Sequence, residues 1–584
     1  MVTNNTRVLT LFVWAVLAGV IFAPVRGVCA LKVHPKSLQL LRQTDPNLTG
    51  AGVKFAVICR SLTYIDGEPQ NDYLPNFNHN CFTTKQLNFH DHNEIDAGIS
   101  PHSTAVCSIL FGEDPQAYSP ELGNFYYQGI VPQAQAHIYE FWHFLINNVF
   151  TGSPPDADII TASMGSCFED WWTRGFESMA QNYGIIVVAG IGNGTDVYDP
   201  PLYPGASANV IGVGVVDSAD TENLAANLEN YCLAYPEHSS FGPASDGRCK
   251  PDIVAVGNSM AADAKVLDKY EPTGSWSSFS TPIVAGTVGL LVQKAKQEPN
   301  LSLALSADGG NCVFKAILMN SATKLPYWHK GRLTKDDDNS CPLDYIQGAG
   351  MLDPAQAYQQ LIAGPNEPGN CSETAWDLNE LDKDLNAINN YHFSVSEPAA
   401  KIITATMAWN RHYSSVYPFE ALPEKDPDFK LELWAVDTNN PDNKYLLDYS
   451  NSSVDNVEHI YCPADANYTN YEIIVSHSDI NEPNRASAEN RYAIAWNVSE
   501  NPNSTEQQEE PSADILWYDL NADGIVDLID FTILFENIIS SMRSPERYLL
   551  GDINADGAID TEDLKLILSQ KNLKADWLNE NKLK

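Results

Sequence analysis

The chain has 584 residues, more than one hydrophobic core organises, so several domains are expected. Asp and Glu number 75 against 35 Lys and Arg, a net charge of −40, which argues against nucleic acid and anionic membranes as partners. A soluble, secreted or cation-binding protein fits that balance.

Arg7 precedes an uncharged apolar run, Val8–Val25, and small residues follow up to Ala30. This pattern predicts a signal peptide over residues 1–30 and a secreted or cell-surface location. The run is long, so a retained membrane anchor is the alternative, and membrane contact is expected only in that case. Of 11 cysteines, Cys29 lies in this segment, and the other ten show no C-x-x-C spacing, which argues against a zinc site. In an oxidising compartment some should pair; Cys232 with Cys249 and Cys312 with Cys341 are the sequence-near choices.

Residues 31–364 alternate strand-like and helix-like segments. "VKFAVI", "AHIYEFW", "DIITASM", "GIIVVAG" and "NVIGVGVV" are apolar on nearly every residue, as strands buried on both faces of a parallel sheet are. Helical stretches such as Thr104–Phe111 and Trp171–Asn182 lie between them, which predicts a doubly wound α/β domain. The first strand ends in Cys59, Arg60 and Ser61, at the kind of position where α/β enzymes place catalytic side chains. Further on, "WSSFSTPIVAG" (276–286) predicts a buried helix with Pro282 in its first turn and Ser278 at its N-terminus. There a serine oxygen lies near free backbone N–H groups and the positive end of the helix dipole. Such a serine is either an N-cap or a nucleophile whose substrate becomes an oxyanion.

The surroundings favour the nucleophile. "GIVPQAQ" (129–135), "ITASMGS" (160–166), "VVAGIGN" (187–193), "SSFGPASDGRCKPDIVAVG" (239–257), "KAILMNSA" (315–322) and "QGAGMLDPAQA" (347–357) resemble, in order, segments of the subtilisin-like serine proteases, the subtilases. The resemblance covers about residues 45–360 and implies the subtilase α/β fold. It implies that Ser278 is the nucleophile, His102 in "PHSTAVCSILFG" the general base, and Asn193 the side chain that donates to the oxyanion. It further implies that Ser163, Met164 and Gly165, with Gly190, Ile191 and Gly192, wall the first specificity pocket, open to a large apolar side chain of a protein or peptide substrate.

Cys59 stands where the family carries the aspartate of its triad. A buried carboxylate fixes the histidine's tautomer and stabilises its cation, and a thiol does neither well. Ser103, Ala105, Trp276, Ser277 and Ile283 also depart from the family pattern around the site, and Trp276 is expected to crowd it. Asp66 and Asp96 are in sequence reach as substitute acids. Cys59 is either a buried apolar cysteine or the partner of Cys107, one turn along the histidine's helix.

After residue 364 the reading changes. "HFSVS", "KIITATMAW", "FKLELWAV", "YEIIVSHS" and "RYAIAWNV" are strands separated by Asn, Asp and Pro turns, so residues 367–500 predict a β-sandwich. Residues 501–513 are polar and read as a linker. Residues 514–572 hold two twelve-residue loops of one pattern, "DLNADGIVDLID" (519–530) and "DINADGAIDTED" (552–563). The first offers oxygens from Asp519, Asn521, Asp523, Asp527 and Asp530 and the carbonyl of Ile525; the second from Asp552, Asn554, Asp556, Asp560 and Asp563 and the carbonyl of Ala558. Each set suits one calcium ion, with a glycine at position 6 for the turn. The pair resembles a type I dockerin, a small helical calcium-binding module. That resemblance implies two calcium ions and a cohesin-bearing scaffold protein as partner. Two functions are therefore expected: a secreted serine endopeptidase, or a catalytically impaired pseudoprotease serving as a peptide-binding or structural module on a scaffold.

Overall fold

The computed structural model describes residues 36–501 apart from short interruptions, the longest at 217–238. The signal segment, the linker and repeat, Ser61, Asp66, Asp96 and Cys232 lie outside the described residues.

A seven-stranded parallel sheet forms the centre of the first domain. Its strands are β1 (Lys54–Cys59), β2 (Leu87–His90), β3 (Gln135–Glu140), β4 (Ile159–Ala162), β5 (Ile186–Gly190), β6 (Ile211–Val216) and β7 (Ile253–Val256), in the spatial order β7-β6-β5-β4-β1-β3-β2. The continuous apolar runs are explained by burial of both faces. Along β1, Phe55, Val57 and Cys59 face one core cluster, while Ala56 and Ile58 face another. The first cluster is covered by α1 (Lys36–Thr44), α2 (Pro101–Phe111), α4 (Ser277–Gln297), α5 (Gly310–Asn320) and α6 (Pro354–Ala363). The second is covered by the helical segment 141–149 and by α3 (Trp171–Tyr183). This is the doubly wound α/β architecture, and all the strand ends that carry site residues point to one edge of the sheet.

One detail of α4 differs from the expectation. The helix starts at Ser277, so Pro282 lies inside it and not in its first turn. Proline has no N–H to give to the carbonyl four residues earlier, which is that of Ser278. The Ser163 hydroxyl fills the gap, donating to the Ser278 carbonyl at 2.8 Å. The proline is thus tolerated because a side chain just beyond the end of β4 satisfies the freed acceptor.

Behind β6 and β7 sits a buried charge cluster. Asp252 accepts from Lys250 Nζ at 2.6 Å and from the Gly212 N–H at 2.7 Å, and its other oxygen lies 3.0 Å from Lys315 Nζ. Removing the carboxylate leaves two buried ammonium groups without their counter-ion. Asp252→Ala is expected to cost about 3–5 kcal/mol, a large part of a domain's stability. A urea midpoint unchanged from the parent chain would contradict this.

Two sheets of mainly antiparallel strands follow. One has the spatial order Ala375–Glu380, Arg491–Glu500, Lys401–Ala408, Val457–Pro463; the other Gly369–Asn370, Ile388–Ser394, Asn470–His477, Phe429–Val436, Lys444–Ser450. They pack over Trp409, Trp496, Tyr391, Tyr471 and Tyr492. The four-stranded sheet turns its outer face onto α5. Trp376, Leu378, Ala408, Val457, Ala493 and Ala495 belong to the same core cluster as the α5 residues Val313 and Ile317. Thr406 also donates to Asn320 at 3.1 Å across this junction. The sandwich therefore completes the first domain's core.

No disulfide joins any of the described cysteines. The expected Cys312–Cys341 neighbourhood is corrected: the Cys341 thiol contacts Cys249, whereas Cys312 is buried on α5. The chain after residue 340 runs beside the 242–250 turn, with Gly242 N–H donating to the Tyr345 carbonyl, and this long-range pairing decides which thiols meet. No helix among the described residues is long and apolar enough to cross a membrane.

Candidate active site

The site forms where β1, β3, β4 and β5 end and α2 and α4 begin. His102 is the second residue of α2, whose start is fixed by Pro101 at its first position and by Ser100, whose hydroxyl accepts from the Ser103 N–H. The imidazole Nε2 is buried and has no partner among the described residues. The Phe279 ring stands 6.0 Å away, tilted by 39°. Burial pushes the imidazole down to about 4, and no acidic side chain among the described residues raises it.

Ser278 lies in the first turn of α4, where helix N–H groups have no acceptor within the helix. Its Oγ donates to the Ser163 carbonyl at 3.4 Å, a long bond, while its own carbonyl accepts from the Ser163 hydroxyl. The expected nucleophile and the expected pocket strand are thus brought together.

Asn193 is held by Ser277. The Ser277 N–H and hydroxyl both donate to Asn193 Oδ1, at 3.0 and 2.9 Å. A backbone N–H can only donate, so the atom facing it must be the carboxamide oxygen. The Asn193 NH₂ is thereby turned away from Ser277 and left to donate elsewhere. Sequence reasoning noted Ser277 only as a departure from the family pattern; the signal for its role was a hydroxyl directly before the expected nucleophile.

Three glycines of the expected pocket are needed for close approach. A Cβ on Gly165 would lie 2.6 Å from the Tyr203 carbonyl, one on Gly192 would lie 2.4 Å from Ser240 Oγ, and one on Gly190 would lie 3.0 Å from Thr281 Oγ1. Leu202, which sequence reasoning did not single out, packs against both Gly165 and Gly192. Met164 is partly exposed, whereas Ile191 is fully buried with Tyr203, Ala206 and Ala244, so only its backbone can face the cleft. Trp276 precedes α4, and its indole lies over Gly274.

Cys59 ends β1 against the helix that carries His102. Its thiol touches Cys107 and sits beside Ser103, both on α2. The Cys107 contact pulls the Cys59 thiol below its ordinary value, against the effect of burial, and the same contact together with burial pushes Cys107 well above. Glu140 pairs with Cys59 across β3, but its carboxylate caps the segment 141–149 by accepting from the N–H groups of Trp142 and His143. Arg60 is exposed, with its guanidinium 5.8 Å from the Phe141 ring centre. Among the described residues no cluster of His, Cys, Asp and Glu could hold a metal ion.

The profile of the subtilase family matches residues 44–350, and that of the dockerin type I domain matches residues 517–570. The chain is 28% identical over 269 residues to the subtilisin-like protease SBT6.1 of Arabidopsis thaliana, covering 44% of this chain and 22% of that protein. It is 27% identical over 350 residues to the human membrane-bound transcription factor site-1 protease, covering 57% of this chain and 28% of that one. It is 33% identical over 146 residues to the serine protease AprX of Bacillus subtilis (strain 168), 23% of this chain and 31% of AprX. The chain thus spans about a quarter of the length of the first two relatives. The subtilase profile covers more than half of the 584 residues, in agreement with the parallel sheet and the ordered motifs, and the chain belongs to the subtilase family and carries a dockerin type I domain near its C-terminus.

Proposed function

We propose that the chain is a secreted or cell-surface serine peptidase of low turnover, working through Ser278 and His102 without a triad acid. The observation that carries this reading is the clamp on Asn193. Two donors from Ser277 fix the carboxamide oxygen, which leaves a preorganised NH₂ donor beside the first turn of α4. Ser278 Oγ attacks the peptide carbonyl and gives its proton to His102. Asn193 and first-turn N–H groups receive the oxyanion, His102 passes the proton to the leaving amine, and water then releases the acyl group.

The weak point is the imidazolium. A fall from the usual 6.5 to about 4 corresponds to roughly 3 kcal/mol against the charged ring, and no carboxylate among the described residues repays it. In subtilisin, loss of the triad acid alone lowers turnover by about 3 × 10⁴, a value measured on that enzyme. Slow acyl transfer is the expectation here, with protein or peptide as substrate. Dockerin type I domains bind calcium and dock onto cohesin modules, so the proposed partner is a cohesin-bearing scaffold.

The second reading, a pseudoprotease that binds peptides, is favoured by the unpartnered His102 Nε2 and by the Ser278 hydroxyl pointing to the Ser163 carbonyl. A fluorophosphonate decides between them. Labelling of Ser278 that disappears in His102→Ala supports the peptidase. No labelling after long incubation at mildly alkaline pH would leave the binding module as the function.

A further inference from the structure

We propose that Cys59 and Cys107 are an oxidisable thiol pair, and that the disulfide between them staples the end of β1 to the helix that carries His102. The proposal goes beyond hydrolysis and does not depend on it.

The placement is specific. Cys59 is the last residue of β1, and Cys107 lies on α2 four residues after Ser103, so Ser103 and Cys107 share the helix face that meets Cys59. Both residues are buried, at 4% and 0% exposure, within one core cluster, and their thiols are in contact. Neither is yet bonded to another cysteine. A third thiol, Cys81, acts on Cys107 through space and is the natural competitor.

The two thiols are unequal. Cys59 ends a strand, whereas Cys107 is enclosed within α2, so Cys59 is the group that meets an external oxidant first. With a small-molecule disulfide of the glutathione class as oxidant, the Cys59 thiolate attacks one sulfur. The external S–S bond breaks, and one small thiolate leaves with the electron pair. Cys107 then loses its proton and attacks Cys59 in the mixed disulfide, expelling the second small thiol. Two protein thiols are oxidised and one external disulfide is reduced to two thiols. Because both sulfurs are buried, exchange proceeds during folding or local opening.

Two consequences follow. The staple closes the chain between residues 59 and 107, which restricts the unfolded state. It also consumes the thiol that stands at the family's position for the triad acid.

The test uses the full chain, refolded in glutathione buffers of graded oxidised-to-reduced ratio, acid-quenched, alkylated and mapped by mass spectrometry. The expected result is a peptide pair joined through Cys59 and Cys107 that grows with the oxidised fraction and disappears in reducing buffer. The urea midpoint should rise on oxidation in the parent chain and stay unchanged in Cys107→Ala. Cys59 recovered fully alkylated from the most oxidising buffer, or joined to Cys81 instead, overturns the proposal. The map of the parent chain is decisive by itself if Cys107→Ala does not fold.

Discussion

Replacing Cys59 with aspartate is expected to raise peptide hydrolysis by on the order of 10⁴, the scale of the loss when a subtilase is deprived of its triad acid. Position 59 ends β1 beside Ser103, the residue that follows His102 on α2, and a carboxylate there is expected to take up the triad acid's work of holding the histidine's ring and its cation. The remaining parts are in place in the proposed mechanism: Ser278 in the first turn of α4, and Asn193 clamped by Ser277. The pH profile supplies a second readout. His102 is held down to about 4, so kcat/KM of the parent chain should be level through neutral pH and fall only as pH drops through about 4. An acid at position 59 favours the imidazolium and raises that value, so the acid limb should move upward in Cys59→Asp. Cys59→Asn supplies no charge and should show neither the gain nor the shift. An aspartate variant that folds, as judged by circular dichroism, and hydrolyses no faster than its parent would show that the site is blocked elsewhere.

Chelation is expected to abolish the fold of the C-terminal repeat while the peptidase and sandwich domains stay intact. Each proposed loop gathers four aspartates around one site, and these repel one another when no cation is bound. A module this small has few apolar side chains for a core, so metal binding supplies much of its folding free energy. Calorimetry on the full chain should count two calcium ions, and a chain ending at residue 501 should take up neither. Asp530→Ala and Asp563→Ala should each lose about one ion, because position 12 of the loop closes the coordination sphere. Uptake should weaken as pH falls toward the carboxylate range, since protons compete for the same oxygens. A full chain that shows no calcium uptake would remove both the metal and the scaffold partner from the proposal.

Local pattern determined much of this protein. Apolar runs without alternation announce strands covered on both faces, and β1, β3, β4, β5 and β6 are where those runs lie. Ordered short motifs identify the family, and the oxygen spacing of the two loops is readable without any fold, because each ligand set lies within twelve consecutive residues. What only the tertiary structure decided are contacts between segments far apart in the chain. The Ser163 hydroxyl meets the carbonyl that Pro282 frees across 115 positions, and Ser277 meets Asn193 across 84. Cys59 could be read as a lost acid and Cys107 named as one candidate partner, but whether the two thiols meet depends on how α2 packs against the end of β1. The sandwich read as a separate unit because its strands are separated by Asn, Asp and Pro turns. Its outer face is nonetheless apolar where it covers α5, and a strand's period tells which residues share a face, not what that face will meet.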